Sequence, residues 1–186
     1  MQPEDGQTQA PESFVVHALS VADGILALCQ LPGVSGDYET DMGHIRDWQP
    51  GLVISMTTLS EMEAAGAATL GQDVQRSASR WVHLPIEDFS APDAEILARW
   101  PAVSHAARKA LVGGGRVLVH CKGGCGRSGM VVLRLMIECG ESPPKALARL
   151  RALRPCAVET PEQMSWAYGE RRVAHPPGQA QSDMEL

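Results

Sequence analysis

The chain has 186 residues, 44% of them hydrophobic and 20% charged, with a formal net charge of −6. That length supports one domain with a real core, and the acidic balance argues against nucleic acid as a partner, because phosphate backbones reward clustered Lys and Arg. No apolar run reaches the roughly 18 residues that span a bilayer, so no membrane association is expected. The five cysteines, odd in number and irregular in spacing, fit reduced thiols in a cytoplasmic protein better than a disulfide framework.

Residues 1–12 and 175–186 are polar and Pro-containing and read as disordered tails around a body at 13–174. Strand patterns are expected at 14–19 and 25–28. The stretch 31–50 is rich in Gly and acidic residues and reads as a loop. A third strand is expected at 52–56, and Ser60 with Glu63 has capping-box spacing for a short helix. A fourth strand follows at 81–84. A long helix then starts after Pro92 and runs toward Leu111, where Gly113, Gly114 and Gly115 stop it. The last strand pattern is RVLVH at 116–120, and a helix runs from about Ser128 to Gly140. Ser142 before Pro143 caps the next helix, and Thr160 with Gln163 opens the final one. Strands alternating with helices of this length define an α/β layered domain; their order in a sheet is not legible.

One stretch, RVLVHCKGGCGRSGMVVLRLMIECG at 116–140, carries chemistry. An apolar strand ends at His120, Cys121 opens a loop containing Gly123, Gly124 and Gly126, and Arg127 and Ser128 enter a helix. Glycines let successive backbone N–H groups curl into an anion-binding nest, and the helix N-terminus adds its own free N–H groups. A thiol at the mouth of such a nest is favoured as the nucleophilic thiolate. The planar fork of Arg127 can hold two phosphate oxygens at once. A nucleotide P-loop is excluded, because the Gly-Lys-Ser/Thr ending is absent. His120, Cys121 and Cys125 have poor zinc spacing, and the Cys-x-x-Cys of a redox site is missing.

The segment HCKGGCGRSG resembles the His-Cys-x5-Arg-Ser/Thr signature of cysteine-dependent protein tyrosine and dual-specificity phosphatases. LALCQLPG and LPIEDFSAPD extend the similarity to the kinase-associated (cyclin-dependent kinase inhibitor 3-like) subfamily. The resemblance implies a single domain with a small central mixed sheet flanked by helices and no metal or other cofactor. It makes Cys121 the nucleophile that forms a phosphocysteine. Arg127 and the backbone N–H groups of Lys122, Gly123, Gly124, Cys125 and Gly126 would hold the phosphate oxyanion. Ser128 would donate to the thiolate, and His120 would order the loop. The general acid is assigned to Asp88, with Asp93 and Glu87 as alternatives. Gln163 either positions the attacking water or simply closes its capping box.

The implied substrate is a phosphorylated protein. The alternatives are a phosphoinositide, an inositol phosphate or a nucleic-acid 5′-phosphate, or a phosphate-binding module of weak activity. By the same resemblance the 31–50 stretch flanks the active-site mouth, where Asp37, Glu39, Asp41 and Asp47 would favour a basic substrate context. Cys29, Cys139 and Cys156 read as core residues, whereas Cys125 in the loop, or another thiol, could trap an oxidised Cys121 as a disulfide.

Overall fold

The structure is a computed structural model that describes residues 13–169. Both tails expected from the sequence, and the expected domain end at 170–174, lie outside the described residues. The elements in chain order are β1 (His17–Val21), β2 (Gly24–Cys29), α1 (Tyr38–Trp48), β3 (Leu52–Ser55), α2 (Leu59–Ala64), α3 (Leu70–Arg76), β4 (Arg80–His83), α4 (Ala94–Val112), β5 (Arg116–His120), α5 (Gly126–Glu138), α6 (Pro143–Leu153) and α7 (Pro161–Tyr168).

The five strands form one sheet in the order β1-β2-β5-β3-β4. β1 is antiparallel to β2, and every other neighbouring pair is parallel, so this is a small mixed α/β sheet flanked by helices. The centre strand is β5, whose Val117, Leu118, Val119 and His120 are all fully buried. It reads as an unbroken apolar run because both faces of a parallel sheet are covered. Successive side chains alternate across the pleat. Val117 and Val119 face a layer built from α4, α5, α6 and α7, with Ile96, Trp100, Met130, Leu133 and Leu150 in its core. Leu118 faces a smaller layer with Met42 and Ile45 of α1, Met62 of α2, and Leu70 and Val74 of α3.

Three local expectations are corrected. The 31–50 stretch is not all loop, since α1 occupies its second half. Asp37 caps α1 by accepting from Thr40 N at 3.0 Å, and Met42 and Ile45 supply the buried stripe. Asp41 is only 3% exposed and accepts the Gly33 N–H at 2.9 Å. It holds the preceding turn together rather than facing a substrate. α2 opens on Thr58 with Glu61 rather than Ser60 with Glu63; the Thr58 hydroxyl and the Glu61 carboxylate satisfy each other's backbone N–H. Helix α5 begins at Gly126, two residues before Ser128, so its first turn lies inside the signature loop. Among the described residues no helix is long and apolar enough to cross a membrane.

Candidate active site

The site stands at the C-terminal end of β5, where ligands gather in parallel α/β sheets because helix N-termini and loops converge there. His120 is the last residue of the strand and is completely buried. Its Nε2 lies 2.6 Å from Ser55 Oγ of β3, which also accepts the Trp81 indole N–H of β4 at 2.8 Å. This chain of side chains ties three strands together directly beneath the loop. Burial holds the His120 imidazole down to about pKa 4, which favours its neutral form at physiological pH.

Cys121 follows, 3% exposed, with Ser128 Oγ at hydrogen-bonding distance, 3.2 Å from Sγ. The loop beyond it is shaped by where its carbonyls point. Lys122 O accepts from Leu31 N at 3.1 Å. Arg154 donates to Gly123 O at 3.0 Å and to Gly124 O at 3.2 Å, and Val158 N donates to Cys125 O at 3.3 Å. In a trans peptide the next N–H points opposite to its carbonyl. With the carbonyls drawn outward, the N–H groups of residues 123–126 turn toward the hollow above Cys121. Gly124 makes the turn possible at φ +68°, where a Cβ would lie 2.7–2.9 Å from the Cys29 and Gln30 backbone.

Arg127 is 1% exposed. Its two terminal nitrogens are gripped by both Glu61 oxygens at 2.7 and 2.8 Å, and Nη1 also donates to Ile86 O at 2.8 Å. Its Nε is buried and has no protein partner among the described residues, leaving that donor for an oxyanion. Partial burial pushes the Glu61 carboxyl up, but the hydrogen bonds from Arg127 and the Thr58 backbone overcome it and bring the pKa down to about 2. The pair is fully ionised at neutral pH.

The loop that carries Asp88 follows β4. Leu84 N and Ile86 N continue the ladder onto Ser55 O and Met56 O, which brings residues 87–90 over the end of the sheet. Asp88 Oδ1 lies 3.2 Å from Arg127 Nη2 and accepts the Phe89 N–H at 3.0 Å. The two alternatives fall elsewhere. Asp93 is the N-cap of α4, accepting from Ile96 N at 2.9 Å, and Glu87 is exposed, with its backbone carbonyl taken by Ser90 N. Gln163 closes the capping box of α7 with its Oε1 on Glu159 N and Thr160 N, while its Nε2 donates to Ser90 O at 3.2 Å. Its amide thereby links the start of α7 to the loop that carries Asp88.

Four features at the site escaped sequence reasoning. Glu61 and Arg154 come from distant segments and carry no motif. Glu159 places its carboxylate against Gly126, where a Cβ would meet Oε2. Burial, and then the charge of Asp88, raise its pKa. The fourth is a disulfide between Cys125 of the loop and Cys156 before α7, which corrects the expectation of reduced thiols and of Cys156 as a core residue. Its signal was only the count of cysteines, since nothing in the spacing pairs these two. The free thiols are Cys29, Cys121 and Cys139. Among the described residues no cluster of three or more His, Cys, Asp or Glu side chains has the arrangement of a metal site.

A central strand followed by a cysteine, a glycine-bearing loop and a buried arginine at the head of a helix is the arrangement of a DSP-PTPase-type phosphatase domain. The model of the Swiss Army Knife DSP-PTPase phosphatase domain matches residues 51–168, and the chain belongs to that family. Human cyclin-dependent kinase inhibitor 3 is 26% identical over 182 residues, covering 92% of this chain and 84% of that protein. The tyrosine-protein phosphatase CDC14 of Saccharomyces cerevisiae is 34% identical over 86 residues, 46% of this chain but only 15% of the yeast protein. Among solved structures, kinase-associated phosphatase with its catalytic-site cysteine changed to serine superposes with a TM-score of 0.73 at 24% identity, over 85% of this chain and 94% of that one. Tk-PTP in its active form gives 0.65 at 28% identity, over 83% and 95%.

Proposed function

We propose that this chain is a cytoplasmic phosphatase that hydrolyses the phosphomonoesters of phosphotyrosine, phosphoserine or phosphothreonine in proteins, without a metal, through a phosphocysteine on Cys121. The observation that supports the reading is the buried Arg127 Nε, without a hydrogen-bond partner among the described residues, in the first turn of the helix that follows the Cys121 loop. In the first step Sγ attacks phosphorus, the ester P–O bond breaks, and Asp88 gives its proton to the departing oxygen. The N–H groups and Arg127 hold the charge that spreads over the three equatorial oxygens. In the second step water attacks phosphorus, Asp88 takes the water's proton, and the P–S bond breaks with Ser128 donating to the departing thiolate. Gln163 supports this sequence by fixing the acid-bearing loop through Ser90.

The test is hydrolysis of p-nitrophenyl phosphate in EDTA by wild type, Cys121→Ser and Asp88→Asn across pH, followed by phosphopeptides and inositol phosphates as competing substrates. Turnover that persists in EDTA and vanishes with Cys121→Ser supports the thiolate mechanism. Loss of the basic limb with Asp88→Asn supports the acid. Turnover that survives Cys121→Ser would overturn the nucleophile. Faster release from inositol phosphates than from phosphopeptides would overturn the protein substrate.

A further inference from the structure

The Cys125–Cys156 bridge joins the outer wall of the signature loop to the segment between α6 and α7, with the Cα atoms 5.2 Å apart and a sequence separation of 31. Cys125 is the N-cap position of α5, four residues beyond the nucleophile and two before Arg127. Cys156 is exposed and Cys125 half-buried, so a small reductant can reach the pair, whereas Cys121 lies inside the hollow at 3% exposure. Among the described residues, the same short segment holds three carbonyls on the back of this loop, through Arg154 on Gly123 O and Gly124 O and Val158 N on Cys125 O, beside the bonds from Leu31 N to Lys122 O and Gly129 N to Cys125 O. That segment runs directly into Glu159 and Thr160, whose N–H groups hold Gln163, and Gln163 holds Ser90. One covalent link thus registers the phosphate-binding loop and, through α7, the loop that carries Asp88.

We propose that the Cys125–Cys156 disulfide is a positioning element of the phosphate-binding loop, so that the thiol–disulfide state of this pair sets how tightly the site takes an oxyanion. The inference rests on the reading of that loop as a phosphate site. In the bridged form the peptide planes of residues 123–126 are held with their N–H groups inward before a ligand arrives. Such preorganisation removes an ordering cost from binding and from the transition state alike. In the reduced form the Arg154 and Val158 hydrogen bonds remain, but at the surface they compete with water, and the loop samples wider geometries.

The interconversion requires a dithiol reductant. One of its thiolates attacks the exposed Cys156 sulfur, the S–S bond breaks, and Cys125 leaves as a thiolate that takes up a proton. The second thiol of the reductant then displaces Cys156, which leaves as a thiol. Two electrons and two protons pass to the pair, and the dithiol becomes a disulfide. While the bridge is closed Cys125 has no thiol to offer, so the Cys121–Cys125 trap expected from the sequence is unavailable.

Oxyanion binding to the Cys121→Ser protein tests this without interference from the nucleophile's own oxidation. Inorganic tungstate is titrated calorimetrically into protein poised with oxidised or reduced dithiothreitol, the bridge being assigned by alkylation and peptide mapping. The bridged form is expected to bind about tenfold more tightly. Adding Cys125→Ser and Cys156→Ser should give the weaker value in both buffers. If that combined variant does not fold, the comparison of the two redox forms stands alone. Free thiols at 125 and 156 in the oxidising buffer would overturn the proposal. So would equal affinities in the two forms, even with a higher Tm for the bridged one, because a purely structural staple raises Tm without changing the folded site. Tungstate bound by neither form would sink the phosphatase reading, and this proposal with it.

Discussion

At Arg127 a guanidinium is buried without being neutralised by substrate, and Glu61 makes that tolerable. Removing one partner of a buried ion pair leaves the other uncompensated. Glu61→Ala should therefore cost kcat/KM at least tenfold, with Glu61→Gln recovering part of it through one remaining hydrogen bond; steady-state kinetics on both variants check this. Arg127→Lys keeps the charge but loses the fork, and a fall in kcat/KM of roughly 10²–10³ is expected. His120 makes a prediction for stability. Its folded pKa of about 4 lies below the ordinary 6.5, so below 6.5 the unfolded chain binds a proton that the folded chain refuses. Stability is fully present above pH 6.5 and falls as pH drops toward 4, by about 3 kcal/mol in all. Urea unfolding at intervals between pH 7 and 4 should show this slope, and His120→Asn should flatten it. Of these residues, Cys121, Arg127, Ser128 and His120 were legible because the nest is built from consecutive residues. Glu61 was not, since its capping-box spacing with Thr58 explains its presence without any reference to a site 66 residues away in sequence.

Among the elements, the strands buried on both faces were the easiest to read. β5 was placed to the residue, because an apolar run between a glycine stop and a glycine loop leaves little freedom. α1 was missed because its charged residues outnumber the buried Met42 and Ile45, so composition outweighed a short periodic stripe. The first helix turn within the signature loop was missed because Gly126 has poor helix propensity; its neighbours impose the conformation. Two glycines can be tested. At Gly124 a Cβ would meet backbone at 2.7–2.9 Å and would also be held at φ +68°. Gly124→Ala should cost about 1–3 kcal/mol of stability and lose oxyanion binding, measured by thermal melts and tungstate titration. At Gly129 a Cβ would press on Val158 N and Ala157 Cα at 2.7 and 3.0 Å. Gly129→Ala should push the 156–158 segment away from α5 and weaken tungstate binding while leaving the far layer around Met42 intact.

For the whole molecule, the alternation of strands and helices foretold an α/β layered domain but not the order β1-β2-β5-β3-β4. Order depends on which pairs of faces bury the most apolar surface, and a linear pattern holds no record of that. Amide exchange should find β5 among the slowest segments to open, since it is paired on both sides and covered on both faces. The loop at its end should exchange faster once the Cys125–Cys156 link is reduced.

The central place of β5 also bears on synthesis. β2 and β3 both leave the ribosome before β5, and the sheet order keeps a slot one strand wide between them. Their facing edges stay unpaired until β5 arrives, an exposure that invites association with other chains. Filling the slot joins segments far apart in sequence, a slow step in folding. Because Cys121 is the next residue after β5, that same insertion brings its thiol to the end of the sheet, where Ser128 Oγ meets it. A nascent chain that ends before Cys121 has neither that thiol nor Arg127. The candidate site therefore assembles late, only after the sheet has its central strand.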